Sequence, residues 1–227
     1  FDEFHERNLM SDLALGLVKR LQRNERTDLK LVVMSATIET GPIARYLGQA
    51  DDDPCRVLAS DGRTFPVDIR FGQYLNRDPV TEQAAEAVEQ ILRNDSPGDI
   101  LIFMPGMGEI RGTMNAISRR RLPEPLELIP LHGDLPPADQ DRAFAGNDRR
   151  KVVVATNVAE TSVTIDGIRY VIDCGLARVA RFDAERGFGT LLIEEISRAS
   201  ADQRAGRAGR TAAGTCHRLW TESGHLN

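Results

Sequence analysis

Hydrophobic residues recur at every fourth position near the start of the chain, with polar residues between them. The recurring positions are Leu9, Leu13, Leu17 and Leu21. This period is typical of an amphipathic helix, which we predict over residues 8–23. The run LKLVVM at 29–34 is nearly unbroken and apolar, which indicates a strand buried in a parallel sheet. A short helix over 40–48 is predicted to follow, because Gly48 can end it.

After residue 64, short apolar runs alternate with segments that have the helical period. The apolar runs predict strands over 66–71, 99–104, 126–133, 151–156 and 168–173. The segments between them predict helices over 81–94, 107–121 and 137–145. Strands that alternate with helices pair in parallel, so the pattern predicts an α/β fold. Two further runs, 177–183 and 189–196, flank a turn near 185–187 and predict a β-hairpin.

The composition is that of a globular protein with room for one large or two small domains: 227 residues, 41% hydrophobic and 28% charged. The one candidate boundary is the polar stretch near 60–65. The net charge of −5 gives no support to a broad basic surface for nucleic acid. Residues 198–210 nevertheless contain four arginines and one acid, so a local basic groove is still possible.

The three cysteines are widely spaced and form no CxxC pair, so neither a zinc site nor a disulfide framework is predicted. The sequence has no apolar run of 18 residues and no signal-peptide pattern. We therefore expect no membrane span and a cytoplasmic protein. The chain opens on FDEFHER, without a methionine, and we expect it to be a fragment of a longer protein.

Polar groups follow several of the apparent strands directly. They are Asp2-Glu3, Ser35-Ala36-Thr37 and Thr156-Asn157. In open α/β sheets, ligands bind beyond the carboxyl ends of the strands, so these groups are candidates for a site. The paired carboxylates could hold Mg²⁺ through its waters and deprotonate an attacking water. Paired acids at a strand end are also common without any such role.

The run QRAGRAGR at 203–210 has arginines at a strict spacing of three. They are Arg204, Arg207 and Arg210. In a helix this spacing sets them along one slowly drifting face, where forked guanidinium groups suit phosphate oxygens. Gly206 and Gly209 could let another surface approach closely. The alternative is a solvated basic helix end.

Six motifs together resemble those of the DEAH-box helicases of superfamily 2. They are DEFH (2–5), SAT (35–37), LIFMPG (101–106), LHGDLPPADQDRAF (131–144), ATNVAETSVTIDGIRYVIDCG (155–175) and QRAGRAGR (203–210). The phenylalanine in DEFHER resembles the bacterial HrpB-type branch. The resemblance implies two RecA-like parallel-sheet domains with ATP in the cleft between them, and a β-hairpin inserted in the second. It implies the second half of the first domain at 1–64, the second domain at 65–220, and the start of a following domain at 221–227.

For the first domain, the resemblance implies a role for five residues. Asp2 would position Mg²⁺, and Glu3 would activate the attacking water. His5 would link that site to the second domain, although a lone histidine is more often structural. Ser35 and Thr37 would help to couple hydrolysis to strand movement.

For the second domain, the resemblance implies nucleotide contacts and one RNA contact. The nucleotide set is Gln203 at the γ-phosphate and its water, Arg207 and Arg210 as arginine fingers, Asp166 at the ribose or at the waters of the metal, Phe144 stacked on adenine, and Ser162 in the loop that senses nucleotide state. Thr156 would approach the RNA backbone. From the residues alone, Asp166-Gly167 is equally a simple turn and Phe144 is most simply a core residue.

The resemblance implies an ATP-dependent RNA helicase with ATP and Mg²⁺ as cofactors and RNA, rather than DNA, as the expected partner. The alternatives are an ATP-regulated nucleic-acid-binding module, or a DNA helicase. Protein partners are left unassigned. The chain contains no GxxxxGK[ST] loop, which cradles phosphates in the family. We therefore expect the isolated segment to bind ATP weakly and not to hydrolyse it.

Overall fold

The computed structural model describes residues 1–4, 9–35, 40–48, 53–60, 65–73, 76–94, 97–146, 148–160, 164–183 and 187–224. The chain divides into two compact units, which we call unit 1 (Phe1–Gly62) and unit 2 (Arg63–Asn227). Three predicted site residues, His5, Thr37 and Ser162, lie outside the described residues, as does most of the predicted turn near 185–187. None of the described helices is long and apolar enough to cross a membrane.

Unit 1 contains the two predicted helices, α1 (Leu9–Asn24) and α2 (Thr40–Leu47). In α1, Leu15 is buried, whereas the leucines whose spacing predicts the helix are exposed. The amphipathic period therefore identifies the helix correctly but does not mark the side that is buried in unit 1.

The prediction of a buried strand at 29–34 is wrong, since no strand is assigned there and Val32 and Met34 are exposed. Backbone hydrogen bonds join residues 32–34 to residues 1–4, with N···O distances of 2.8–3.1 Å. A strand in the interior of a parallel sheet needs neighbours on both sides and cover on both faces. Among the described residues, this segment has backbone partners on one side only, so its apolar side chains are left accessible.

Among its described residues, unit 2 contains a six-stranded parallel sheet. The strands are β1 (Val67–Phe71), β2 (Asp99–Phe103), β3 (Leu126–Leu131), β4 (Arg150–Ala155), β5 (Ile168–Asp173) and β8 (Gly214–Arg218). Their order across the sheet is β1-β8-β5-β2-β4-β3. A separate antiparallel hairpin joins β6 (Leu176–Asp183) to β7 (Phe188–Glu195). The predicted α/β class, the parallel sheet and the hairpin are confirmed.

Helices cover both faces of this sheet. They are α3 (Val80–Asn94), α4 (Met107–Ser118), α5 (Pro137–Asp141) and α6 (Arg198–Gly206), the last followed by a 3-10 turn at Arg207–Gly209. In β2, Ile100 and Ile102 pack with α3 and α4, whereas Leu101 and Phe103 pack with α6. Because successive side chains point to opposite faces, a strand covered on both sides must be apolar throughout.

Two predicted helices end earlier than expected. α4 ends at Ser118 instead of 121, and α5 ends at Asp141 instead of 145. In both places the next amides bond three residues back, as in the bond from the Phe144 amide to the Asp141 carbonyl (3.0 Å). This tighter turn ends the α-helical pattern.

Candidate functional site

In unit 1, backbone hydrogen bonds of Phe1 and Phe4 place residues 1–4 alongside residues 32–34. Asp2 and Glu3 lie on the first of these segments, and Ser35 directly follows the second. The Ser35 hydroxyl oxygen is buried and has no hydrogen-bond partner among the described residues. A buried hydroxyl without a partner costs free energy, which is typical of a group kept for a purpose other than packing.

Glu3 has a backbone conformation that residues other than glycine rarely adopt. Its φ is +49°, the one positive value among the described residues other than glycine. Its amide donates to Asp2 Oδ1 at 2.9 Å, which ties the two carboxyl-bearing residues into one turn. Backbone conformations of this kind cost on the order of 1–3 kcal/mol and concentrate at functional sites. The positive φ and the bond to Asp2 therefore hold the Glu3 backbone in one orientation.

In unit 2, Arg204 is the arginine of the run that is fully enclosed, with 1% of its surface exposed. Its Nε donates to Glu160 Oε2 and its Nη1 to Asp173 Oδ1, both at 2.9 Å. The guanidinium carbon also lies 4.8 Å from the centre of the Phe103 ring. Asp173 is itself 0% exposed. These contacts make Arg204 a buried structural cation that fastens α6 to β5.

The charge of Arg204 is maintained by its partners. Burial acts against the charged form, but the carboxylates of Asp173 and Glu160 outweigh it, so the pKa of Arg204 is raised. Burial of an ion pair is costly unless its remaining donors and acceptors are satisfied. Here Arg204 Nη1 also lies 3.3 Å from the Leu176 carbonyl, and the Gly175 amide donates to Asp173 Oδ1 at 2.9 Å, whereas Asp173 Oδ2 has no hydrogen-bond partner among the described residues.

The other two arginines follow the same segment of chain toward the opposite edge of the sheet. Arg207 is 5% exposed and its Nη2 donates to the Glu160 carbonyl. Arg210 is exposed and its Nη1 donates to Thr164 Oγ1. The run thus passes from a buried ion pair to a guanidinium that can meet a ligand.

The glycines of the run differ as well. A Cβ on Gly209 would lie 2.5 Å from the Phe65 carbonyl oxygen, so the close approach predicted for this glycine is present. A Cβ on Gly206 would meet nothing within 4 Å, so the same prediction is wrong there. Gly206 has a helical φ of −57°, and the space beside it is open.

Arg210 and Asp166 lie at the edge of the sheet where the strands begin. Asp166 comes just before β5 and Arg210 just before β8, and these two strands are parallel neighbours. Both residues are exposed. Parallel neighbours start at one edge, so the two loops that precede β5 and β8 meet there.

Phe144 belongs to the same edge, since it lies in the turn between α5 and the start of β4. It is 42% exposed. The simplest expectation, a core residue, is therefore wrong. Its neighbour Ala143 is the residue of this turn that enters the core. An exposed aromatic ring beside a buried alanine is suited to stack on a planar ligand.

Thr156 and Gln203 complete the described part of the predicted set. Thr156 directly follows β4 and is buried, with its amide bonded to the Leu131 carbonyl at 3.2 Å. It lies at the carboxyl edge, opposite Arg210. Gln203 lies on α6, half-buried, next to Arg204. The predicted nucleotide and RNA residues of unit 2 are thus distributed over two opposite edges of one sheet.

Sequence reasoning missed Glu160 and Asp173 as partners of the arginine run. A signal was present for Asp173, because an acid that ends an apolar strand must find a cation if it is buried. Glu160 carried no such signal, since it lies in a polar segment. No group of three or more His, Cys, Asp or Glu side chains that could hold a metal occurs among the described residues.

Comparison with known proteins agrees with these motifs. The model of the helicase conserved C-terminal domain matches residues 83–212. The chain is 39% identical to the probable ATP-dependent RNA helicase DHX35 of Homo sapiens, over 97% of this chain and 33% of that protein. It is 44% identical to the ATP-dependent RNA helicase HrpB of Escherichia coli (strain K12), over 94% of this chain and 26% of that protein.

Solved structures give the same result. A crystal structure of the Escherichia coli DEAH/RHA helicase HrpB matches with a TM-score of 0.85 and 42% identity, over 98% of this chain and 28% of that one. The chain thus spans about a third or less of the length of these relatives. The chain belongs to the helicase conserved C-terminal domain family, and its resemblance to the DEAH-box helicases is confirmed.

Proposed function

We propose that this chain is part of the core of an ATP-dependent RNA helicase, in which the carboxylates of residues 2–3 and the arginines of residues 203–210 act on ATP. The observation that carries the proposal is the exposed pair Arg210 and Asp166 at one edge of the unit 2 sheet. A cation and a ribose-binding carboxylate on adjacent loops match the two ends of a nucleotide. The curated relatives are named ATP-dependent RNA helicases, which agrees with this assignment.

Within this proposal, residues 1–64 are the C-terminal half of a first RecA-like domain and 65–220 are the second such domain. Residues 221–227 begin a further domain. The division into Phe1–Gly62 and Arg63–Asn227 supports the first boundary.

The hydrolytic step is assigned to residues on both units. Glu3 takes a proton from the attacking water, and Gln203 orients that water at the γ-phosphate. Arg207 and Arg210 neutralise the charge that develops on the phosphoryl oxygens, a contribution of about 10³–10⁵ in rate for arginine fingers. His5 links the two sets.

Asp2 is suited to hold Mg²⁺, because this ion binds nucleotide sites through one or two carboxylates together with water and phosphate oxygens. The turn that joins Asp2 to Glu3 presents two such carboxylates side by side. Bound there, the ion would neutralise charge on the β- and γ-phosphates.

The remaining assignments concern base binding, signalling and RNA. Phe144 stacks on adenine, and Ser162 lies in the loop that responds to the γ-phosphate. Ser35 and Thr37 transmit that response to the bound strand. Thr156 approaches the RNA backbone. The opposite edges occupied by Phe144 and Thr156 support separate nucleotide and RNA contacts.

We further propose a cytoplasmic location. The three cysteines are free thiols, and burial raises the pKa of Cys174 and Cys216 to about 12. Thiols that stay protonated are unreactive toward disulfide exchange, as suits a reducing compartment.

The experiment that tests the function uses the full-length protein, purified with and without single-stranded RNA. ATP hydrolysis is measured by phosphate release, and strand separation is measured on an RNA duplex and on a DNA duplex of the same sequence, each with a single-stranded tail. We expect RNA-stimulated hydrolysis and ATP-dependent unwinding. Hydrolysis without unwinding would indicate the ATP-regulated binding module instead, and unwinding of DNA alone would indicate a DNA helicase. Absence of ATP hydrolysis would contradict the proposed RNA helicase and both of these alternatives.

A further inference from the structure

A buried lysine lies at the start of β4, next to the turn that carries Phe144. The Lys151 side chain is 7% exposed. Its Nζ lies 3.3 Å from the Ala143 carbonyl oxygen and 3.2 Å from that of Ala145. It also lies 3.7 Å from Asp99 Oδ2, which is within ion-pair range but beyond hydrogen-bonding distance. The two carbonyls belong to the residues on either side of Phe144.

Asp99 connects this lysine to a second loop. Its Oδ1 accepts from the Lys151 amide at 2.8 Å, and its own amide donates to the Gly167 carbonyl at 2.9 Å. Gly167 has a φ of +88°, and a Cβ there would lie 2.8 Å from Asp99 Oδ2. Only glycine therefore fits beside this carboxylate. The residue that precedes Gly167 is Asp166.

Lys151 thus fastens the turn that carries Phe144, and the backbone of Asp99 bonds to the loop that carries Asp166. A buried charged pair is weak evidence for stability, since apolar residues of similar size can stabilise a core equally well. An ammonium group that donates to the carbonyls on either side of Phe144 is better explained by the orientation of that turn.

We propose that Lys151, held by Asp99, is a positioning residue that sets Phe144 in the orientation required to stack on the base of a bound nucleotide. This inference rests on the proposed function, in which Phe144 stacks on the base. Lys151 has little exposed surface and acts through Phe144, so its loss affects any nucleoside triphosphate that stacks there, not adenine alone.

The test measures affinity for a fluorescent ADP analogue with the full-length protein and its Phe144→Ala, Lys151→Met and double variants. Stacking on an aromatic ring contributes about 1–3 kcal/mol per base, so Phe144→Ala should weaken binding on the order of 5- to 150-fold. Lys151→Met should weaken it by a smaller or equal factor. The double variant should bind no more weakly than Phe144→Ala, because the lysine acts through that ring.

A purely structural lysine gives a different pattern. Lys151→Met would then lower thermal stability while leaving affinity unchanged, or its loss of affinity would multiply with that of Phe144→Ala, and either result overturns the inference. If Phe144→Ala leaves affinity unchanged, Phe144 does not stack on the base. That result contradicts the role given to Phe144 in the proposed function, and the inference with it. Turnover at saturating ATP should stay close to wild type in Lys151→Met, while KM rises.

Two further variants guard against a simple folding defect. Asp99→Asn keeps an acceptor for the Lys151 amide but removes the negative charge, and it should weaken nucleotide binding in the same direction. Unchanged affinity in Asp99→Asn would contradict the proposal even if Lys151→Met fails to fold. The matched control is Arg120→Met, which also removes a partly buried cation, paired with Glu89 at 2.8 Å. It should leave affinity unchanged, because Arg120 touches neither loop.

Discussion

Replacing Arg204 with methionine leaves Asp173 as a fully buried carboxylate without its guanidinium partner. Methionine has a similar length, so the main change is the loss of the ion pairs to Asp173 and Glu160 and of the contact with Phe103. Removing one partner of a buried pair costs about 3–5 kcal/mol. For a domain of this size, that corresponds to a fall in Tm of about 6–20 °C.

The assay is thermal unfolding of the 227-residue chain, followed by circular dichroism. The matched control is Arg210→Met, which removes the same group from an exposed position and should shift Tm by no more than about 2 °C. A second variant, Arg204→Met with Asp173→Asn, removes the orphaned charge and should recover part of the loss. A Tm for Arg204→Met within about 2 °C of wild type would refute the structural role of Arg204.

Two further predictions concern unit 2. Gly209→Ala should destabilise the chain by about 1–3 kcal/mol, because its Cβ meets the Phe65 backbone, whereas Gly206→Ala should be neutral or stabilising by up to about 1 kcal/mol. Urea unfolding measures both, and equal effects would contradict the close approach at Gly209. Burial lowers the pKa of His217 to about 4, so only the unfolded chain takes up its proton between about pH 6.5 and 4. The free energy of unfolding therefore falls by up to about 3 kcal/mol as the pH drops from about 6.5 to about 4. His217→Gln should reduce the loss between pH 7 and 4.5, and an unchanged pH profile in His217→Gln would contradict the burial argument.

Much of the fold could be predicted, because strands covered on both faces have unbroken apolar runs that sequence displays directly. β8 was missed for the converse reason. Its residues GTCHR contain one strongly apolar side chain, Cys216, although the strand lies between β1 and β5. Its place in the sheet comes from neighbours distant in sequence. The apolar run at 29–34 predicted a buried strand that is absent, because an apolar pattern does not show whether other residues cover its side chains.

The residues of the candidate site could be predicted from the sequence, but the separate role of each residue could not. The arginine run has the same side chain at three positions, and no feature of the neighbouring sequence shows that Arg204 is buried and Arg210 exposed. The separation comes from Glu160 and Asp173, which are 44 and 31 residues from Arg204 in the chain. Long-range ion pairs of this kind have no signature within a motif, so only the folded structure shows which guanidinium is enclosed.

The central claim is that Arg210 contributes to ATP hydrolysis and not to the stability of the fold. ATP turnover of the full-length protein with Arg210→Ala, measured at saturating ATP and RNA, tests it most directly. We predict a loss of about 10³–10⁵-fold, as expected for an arginine finger, with RNA affinity and Tm close to wild type. Turnover within about threefold of wild type would contradict the account, because a finger that stabilises the transition state cannot be removed at so small a cost.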